Sequence, residues 1–190
     1  MEQNNSRKGF TIIEIALVLA IAGLIFLMVF IALPAVQRTQ RDAKRRDDVG
    51  RLLTAIQKFQ TNNRGALPTG NTGADGISWE SQVVKDAEAG ATDWAGFFKS
   101  FLGEDFEDPK GHYYKIAAGD CNTKVGEGVC SYGSEANNDS IAFDNYGYMM
   151  YIVRRATCEG AAPIPSTNPK NIAVVYKMEG TGAAYCANTH

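Results

Sequence analysis

Glu14 is the residue near the start of the chain whose chemistry most needs an explanation. It lies inside the apolar run from Ile12 to Val36. Such a run is long enough to cross a bilayer core of about 30 Å as a helix. A carboxylate in a membrane-length segment is costly, and by default it indicates a function and a charged partner. We therefore expect a functional role for Glu14.

No set of residues in the chain has a spacing typical of an enzyme. The sequence contains no phosphate-binding loop, dinucleotide fingerprint or nucleophile elbow. His112 and His190 are isolated in the sequence. The formal net charge of −2 gives no sign of nucleic-acid binding over the whole chain. We therefore expect a protein that is not an enzyme and that uses no cofactor.

An oxygen-rich stretch offers ligands of the type that calcium binds. Its residues are Asn137, Asn138, Asp139, Asp144 and Asn145. Their spacing fits no EF-hand loop, and clusters of Asn and Asp are more often turns. The expectation is a turn-rich segment without a metal.

Four cysteines lie well beyond the apolar run, at Cys121, Cys130, Cys158 and Cys186. An even number on one side of a membrane segment indicates an oxidising compartment and structural disulfides. Their spacing is not that of a zinc site.

The apolar run continues into an amphipathic helix that ends near Asn62. Apolar residues recur at helical spacing at Val49, Leu52, Leu53, Ile56 and Phe59. The stretch 61–65, followed by Pro68, supplies the stop. We interpret the charged residues between 38 and 51 as a solvated, internally paired face that adds little stability. Contact with phospholipid headgroups or with neighbouring subunits is the alternative.

Beyond this helix the sequence predicts short helices and then a sheet. One helix is expected from Ser78 to about Ala89 and another from Thr92 or Asp93, with an aromatic stripe that packs in the core. Strands are expected at 113–118, 146–155 and 171–178, with a short return at 184–187. Consecutive strands of this kind favour an antiparallel meander. The fold class is therefore α+β, with a long N-terminal helix packed on an antiparallel sheet.

The meander also predicts how the cysteines pair. Cys121 and Cys130 close a short loop between the first two strands. Cys158 follows the second strand, and the return strand brings Cys186 back to the same end. Of three connectivities we expect Cys121–Cys130 and Cys158–Cys186, each stabilising the fold by roughly 2–4 kcal/mol.

The segment Lys8-Gly9-Phe10-Thr11-Ile12-Ile13-Glu14 resembles the prepilin cleavage motif of type IV pilins and pseudopilins. In that family a membrane peptidase cuts after the glycine and methylates the new N-terminal amine. The resemblance implies cleavage between Gly9 and Phe10 and N-methylation of Phe10. Glu14 is then the fifth residue of the mature chain, which implies a role in filament assembly. The amine of Phe10 on a neighbouring subunit is the natural partner for a buried carboxylate.

Three further features support the resemblance. The stretch 41–68 looks like the pilin pattern in which a charged turn precedes a periodic helix. The stretch 108–114, Asp-Pro-Lys-Gly-His-Tyr-Tyr, resembles the turn that opens the sheet in many pseudopilins and pilins. Gly23 matches a glycine often found in pilins, whereas the family's usual proline lies three residues before Pro34. Because proline removes a helix hydrogen bond, we expect local unwinding between Gly23 and Pro34 in a filament.

The resemblance implies a pilin fold of four segments. These are a removed leader (1–9), a transmembrane and filament-core helix (10–36), the amphipathic half of that helix (37–62) and a globular head (63–190). The implied precursor crosses the cytoplasmic membrane once, with its N-terminus inside and its head outside, and later joins an extracellular filament. The count of Lys and Arg opposes this orientation. The cleavage motif and the cysteines outweigh that count.

The implied partners are other copies of the chain, the prepilin peptidase, an inner-membrane assembly platform and membrane lipid. Contact with DNA or a host surface is left open. We expect a major pilin that serves attachment, twitching motility or DNA uptake. A pseudopilin of a type II secretion-like system is an alternative. A signal-anchored extracytoplasmic binding domain that never polymerises is another, but it leaves Glu14 and the Gly9–Phe10 junction unexplained.

Overall fold

The computed structural model describes residues 9–70, 77–88, 90–103, 105–121, 128, 130 and 148–189. The oxygen-rich stretch at 137–145, His190, and the leader up to Lys8 lie outside the described residues. So do positions 146 and 147, where the second strand is predicted to begin. The chain divides into two compact units, Met1–Thr39 and Gln40–His190.

Helix α1 runs from Ile12 to Asn62, as the sequence predicts. In the first unit its residues are exposed in the single chain except Ala22, which is partly buried. Among the described helices, α1 has the length and apolar composition needed to cross a membrane. Pro34 lies inside it.

In the second unit α1 is amphipathic, as its spacing predicts. Its buried apolar residues are Val49, Leu52, Ala55, Ile56 and Phe59. The helix ends in the expected turn, where Arg64 and Gly65 have φ of 56° and 82°. The Gly65 amide donates to the Gln60 carbonyl over 2.6 Å, which satisfies a carbonyl at the end of the helix.

The two short helices are shorter than predicted. Helix α2 covers only Gln82–Asp86, and Ser81, not Ser78, precedes its first residue. The chain leaves the helix at Ala87 because that residue is extended. Helix α3 covers Trp94–Phe97, with the predicted Asp93 cap accepting a hydrogen bond from the Gly96 amide over 2.8 Å. A π-helix, Phe98–Leu102, follows it directly.

The sheet contains the four predicted strands in the order β1-β2-β5-β6. These are β1 (Lys115–Asp120), β2 (Met149–Arg154), β5 (Ile172–Lys177) and β6 (Ala184–Asn188). The pairs β2–β5 and β5–β6 are antiparallel, as predicted. The prediction of a fully antiparallel meander is wrong, because β1 pairs with β2 in parallel. Residues 121–148 separate the two strands, which exceeds the dozen or so that a parallel connection needs.

A second, two-stranded sheet was not predicted. It pairs β3 (Ala156–Glu159) with β4 (Ala162–Pro165) in antiparallel register. Arg155, with φ of 57°, separates β3 from β2 and redirects the chain. Pro163 and Pro165 occupy two of the four paired positions of β4. Proline is uncommon within a strand, so the local sequence does not predict one here.

The main core lies between the second half of α1, α3, the π-helix and the large sheet. The aromatic stripe predicted to pack does so. Phe59 of α1 meets Phe97 and Phe101 edge-on, with ring centroids 5.7 Å and 5.5 Å apart. The α+β layout of the pilin fold is therefore present, with a sheet of mixed rather than purely antiparallel pairing.

Candidate functional site: the start of the N-terminal helix and an ionic network in the head

The Gly9–Phe10 bond lies outside helix α1. Both residues are exposed and non-helical, and Phe10 is 82% exposed. The helix begins only at Ile12. The bond predicted to be cut therefore lies in an accessible, irregular segment, the kind of backbone that proteolysis favours.

Thr11 and Glu14 form a capping box at the start of α1. The Thr11 carbonyl accepts the first helical hydrogen bond, from the Ile15 amide over 3.2 Å. The Glu14 amide donates to Thr11 Oγ1 over 3.3 Å, and Glu14 Oε2 accepts from the Thr11 amide over 3.2 Å. This is the reciprocal arrangement of a capping box. This box was not predicted, although the Thr-x-x-Glu spacing at 11–14 is its known signature.

The Glu14 carboxylate has one oxygen engaged and one free. Oε2 also accepts a hydrogen bond from Thr11 Oγ1 over 3.2 Å. No hydrogen bond to Oε1 occurs among the described residues. The surrounding large side chains are apolar and exposed: Ile12, Ile13, Leu17 and Val18. Glu14 is thus an acceptor on an otherwise apolar surface.

Gly23 and Pro34 both lie within the unbroken helix of the single chain. The prediction of unwinding between them concerns the assembled filament, so it stays a prediction.

The charged stretch of α1 contains a buried ionic network, so its interpretation as a solvated face is wrong for three of its residues. Asp42, Arg45 and Asp48 are 6%, 1% and 1% exposed. Arg45 binds both oxygens of Asp108, over 2.6 Å and 3.2 Å. It also donates to Asp42 over 3.2 Å. These three residues lie on one face over two turns of the helix and are buried in the head. Several of their partners lie far along the chain, so the local sequence does not reveal the burial.

The turn at 108–114 supplies two of these partners. Gly111, with φ of 80°, lets its amide donate to the Asp108 carbonyl over 2.8 Å. The turn places Asp108 on Arg45, and Tyr114 donates its hydroxyl to Asp48 over 3.0 Å. Its Asp and Tyr thus join the second half of α1 to the head through buried polar contacts.

Burial and charge set the protonation of this network. Burial disfavours the cationic form of Arg45, but the hydrogen bond and charge of Asp108 outweigh it and raise the pKa of Arg45. Burial, together with the charge of Asp48, raises the pKa of Tyr114. Arg45 is therefore a permanent cation, and Tyr114 is a permanent donor to Asp48.

A second turn, at 178–182, also binds residues of this network. The Asp42 carboxylate accepts the amides of Glu179 and Gly180 over 2.9 Å and 2.8 Å. Glu179 in turn binds Arg41 over 2.8 Å. The hydrogen bond from Arg41 is the main cause that lowers the pKa of Glu179 to about 2, with burial opposing it and Lys110 adding to it.

The two disulfides are Cys121–Cys130 and Cys158–Cys186, the same pairs that the sequence predicts. Cys158 of β3 is thereby joined to Cys186 of β6. The Cys130 amide donates to the Pro163 carbonyl of β4 over 2.8 Å. Both bonds therefore hold the small β3–β4 sheet to the rest of the head.

Among the described residues, no group of three or more His, Cys, Asp or Glu side chains is arranged to hold a metal ion. The stretch suggested for calcium lies outside them. One groove in the described part, of about 420 Å³, is open to solvent. It is lined by Thr54, Gln57, Lys58, Thr61, Asn62 and Phe101.

In a comparison with known families, the prokaryotic N-terminal methylation motif matches residues 4–30. This range contains the Gly9–Phe10 bond, the capping box and most of the apolar run. Neither the curated proteins nor the solved structures give a significant match to the chain.

The matched motif covers the start of the chain. For the remaining residues, the arrangement of helices and strands can be compared with the pilin layout. A class III signal stands before a long apolar helix, and that helix continues into an α+β head. The chain carries an N-terminal methylation motif and has the layout of a type IV pilin-like protein.

Proposed function

We propose that the mature chain, beginning at Phe10, is the structural subunit of a type IV pilus-like filament, and its major subunit. The observation that carries this proposal is the exposed apolar half of α1 with one carboxylate near its start. Glu14 is the fifth residue counted from Phe10. An anchor needs the apolar residues alone and gains nothing from a costly carboxylate.

The exposed apolar surface of α1 needs two environments in turn. Before assembly, membrane lipid covers it, since the run is of membrane-spanning length. In the filament, the same helices from other copies of the chain replace the lipid. The same side chains therefore serve as membrane anchor and then as filament core.

Glu14 sets the register of neighbouring helices in that core. Burying a lone carboxylate is costly, and a buried charge persists when it is paired. The positive amine of Phe10 on a neighbouring subunit is such a partner, and Oε1 of Glu14 is free to accept from it. The attraction within the pair roughly offsets the cost of desolvating both charges, so the pair adds little net stability. Its contribution is to select the position of the new subunit.

The remaining partners follow from this assignment. A prepilin peptidase cleaves after Gly9 and methylates Phe10. An inner-membrane assembly platform extracts the subunit, whose head lies outside the cytoplasmic membrane. The head then forms the outer surface of the filament, with a structural rather than a catalytic role. Attachment, twitching motility and DNA uptake are the functions that such a filament serves.

Sheared surface fibres test the proposal. Fibres from cells that express the chain are purified and their N-terminal peptide is analysed by mass spectrometry. The proposal predicts that this chain dominates the fibres and begins with N-methylated Phe10. Finding only intact chains beginning at Met1, retained in the membrane, would favour the non-polymerising anchored domain.

A pseudopilin of a type II secretion-like system is the second candidate. The turn at 108–114 supports it, because that turn resembles pseudopilins as well as pilins, and here it holds α1 to the head through Asp108 and Tyr114. Deleting the gene separates the two assignments. Loss of protein secretion without loss of long surface fibres would favour the pseudopilin.

A further inference from the structure

We infer that the unit Gln40–His190 binds anionic phospholipid headgroups through a group of exposed cations around its first helical turns. These cations, which we call the basic surface, are Lys44, Arg46, Lys110 and Lys177. The inference goes beyond the proposed function, because it requires the apolar run to lie in a membrane but does not require the chain to polymerise.

The fold brings the basic surface together from three segments of the chain. Lys44 and Arg46 belong to α1. Lys110 Nζ lies 3.3 Å from the Glu179 carboxylate, in the turn that follows β5. Lys177 is the last residue of β5 and directly precedes that turn. Cations that are far apart in the sequence therefore lie at one end of this unit.

Burial separates the two signs of charge at this end. Asp42, Asp48 and Asp108 are all buried. By contrast, the side chain of Lys44, whose Nζ is 3.2 Å from Asp48, is 51% exposed, and that of Lys110 is 45% exposed. Solvent therefore meets more of these cations than of the carboxylates beneath them.

The exposed cations also outnumber the exposed carboxylates. Among the described residues, neither Arg46 nor Lys177 forms an ion pair with a carboxylate. The exposed carboxylates described in the same segments are Asp47 and Glu107. A surface with an excess of one sign of charge attracts the opposite sign over about 8 Å at physiological salt.

Aromatic rings accompany the basic surface. The Arg46 guanidinium lies over the ring of Tyr185, 5.5 Å from its centroid. The rings of His112 and Tyr148 lie 5.3 Å apart between centroids. Both tyrosines are partly buried. Tyrosine is enriched at membrane–water interfaces, where its ring is sheltered and its hydroxyl reaches water. Cations beside partly buried tyrosines are therefore suited to the headgroup layer.

A membrane is the anionic partner that the chain itself brings close. The apolar run ends at Val36, and Lys44 follows eight residues later in the sequence. A bilayer that holds the run presents its headgroups to the residues that follow. Each Lys or Arg near an anionic membrane surface strengthens binding about fivefold. A soluble polyanion has no such tether, so headgroups are the favoured ligand.

Lipid retention by the full-length chain tests this inference. The chain is reconstituted into vesicles that contain equal amounts of phosphatidylglycerol and phosphatidylcholine. It is then extracted in mild detergent, and the lipids that stay bound are counted by mass spectrometry. We expect the unaltered chain to retain phosphatidylglycerol over phosphatidylcholine, with a preference that shrinks between about 0.1 M and about 1 M salt.

A pair of substitutions removes part of the basic surface without leaving a carboxylate unpaired. Lys44→Gln with Lys110→Gln leaves Asp48 and Glu179 with arginine partners. The preference for phosphatidylglycerol should fall about fivefold for each lysine removed. Lys44→Arg with Lys110→Arg keeps both charges and should keep the preference. Near-UV circular dichroism checks that each variant is folded.

Lys58→Gln with Lys170→Gln is the matched control, because it removes the same charge elsewhere on the unit. Both lysines are exposed, and Lys170 lies near the end of α1, where its carbonyl accepts from Gln60 over 3.1 Å. This pair should keep the preference of the unaltered chain.

Several results would overturn the inference. Equal retention of the two lipids by the unaltered chain does so, as does a preference that salt leaves unchanged. An equal loss in the control pair also does so. Unchanged retention in the Lys44→Gln and Lys110→Gln pair overturns it, and a loss of sheared fibres in that pair would then assign the surface to a neighbouring subunit. If that pair does not fold, the salt dependence of the unaltered chain decides.

The outcome is separate from that of the proposed function. Lipid retention is measured on the unassembled chain. A chain that forms no fibres but retains phosphatidylglycerol would contradict the proposed function alone. A chain that forms fibres but retains both lipids equally would contradict this inference alone.

Discussion

Arg45 is the residue on which the joint between α1 and the head most depends. Its side chain is 1% exposed and it contacts the carboxylates of Asp108, Asp42 and Glu179. Asp108 is itself 1% exposed at its side chain. Removing one member of a buried pair leaves the other charge buried without a partner.

Replacing Arg45 by methionine is therefore expected to destabilise the head by about 3–5 kcal/mol. Lys58→Met is the matched control on the same helix. Lys58 is exposed, so the expected loss is about 0.5 kcal/mol or less. Urea denaturation of the detergent-solubilised mature chain measures both. Equal losses for the two variants would show that burial does not matter at Arg45.

Glu179 makes the stability of the folded head decrease at acid pH. Its pKa is about 2 in the folded chain against an ordinary value of 4.5. In this window the unfolded chain binds the proton more readily, so stability decreases as pH falls from 4.5 towards 2. Above pH 4.5 the contribution is complete.

The Glu179→Gln variant should lose stability less steeply over that pH range than the unaltered chain. Thermal unfolding followed at several pH values measures the slope. Glu80→Gln, which changes an exposed carboxylate, is the control and should keep the original slope. Parallel curves for Glu179→Gln and the unaltered chain would contradict the assignment.

These residues show where sequence reasoning succeeds and where it stops. Glu14 could be singled out because a carboxylate contrasts with the apolar residues beside it. Arg45 could not, because a charged residue among other charged residues carries no local sign of burial. Its partner Asp108 lies 63 positions away. Only the fold brings them together.

At the scale of elements, the two disulfides should contribute unequally. Cys121–Cys130 closes a loop with a sequence separation of 9, and Cys158–Cys186 one of 28. In the loop-entropy model the longer loop gives about 1 kcal/mol more. Cys158–Cys186 also joins the small β3–β4 sheet to β6.

Replacing both cysteines of each pair by serine tests this order. The Cys158/Cys186 double variant should lose more stability to urea than the Cys121/Cys130 double variant. Both should fall below the unaltered chain by roughly 2–4 kcal/mol. A larger loss at Cys121/Cys130 would reverse the predicted order.

The elements themselves were predictable to different degrees. Helix α1 and its end at Asn62 follow from periodicity and from the Asn63–Gly65 turn. The direction of β1 against β2 does not, since 121–148 carries no pattern that fixes the route of the chain. The β3–β4 pair could not be predicted, because Pro163 and Pro165 are atypical of a strand.

At the scale of the whole molecule, the two units have different chemistry. Met1–Thr39 presents an apolar helix with a carboxylate near its start. Gln40–His190 has its own core, an ionic network and two disulfides. The division agrees with the functions proposed for them, assembly for the first and a stable outer surface for the second.

The Glu14→Ala variant tests the central claim, that this chain polymerises through its N-terminal helix. Fibre yield and N-terminal processing are measured in cells, with Glu80→Ala as the control for an exposed carboxylate of the head. We predict cleaved Glu14→Ala chains that remain in the membrane and form no fibres, and normal fibres from Glu80→Ala. Abundant fibres from Glu14→Ala would contradict the account.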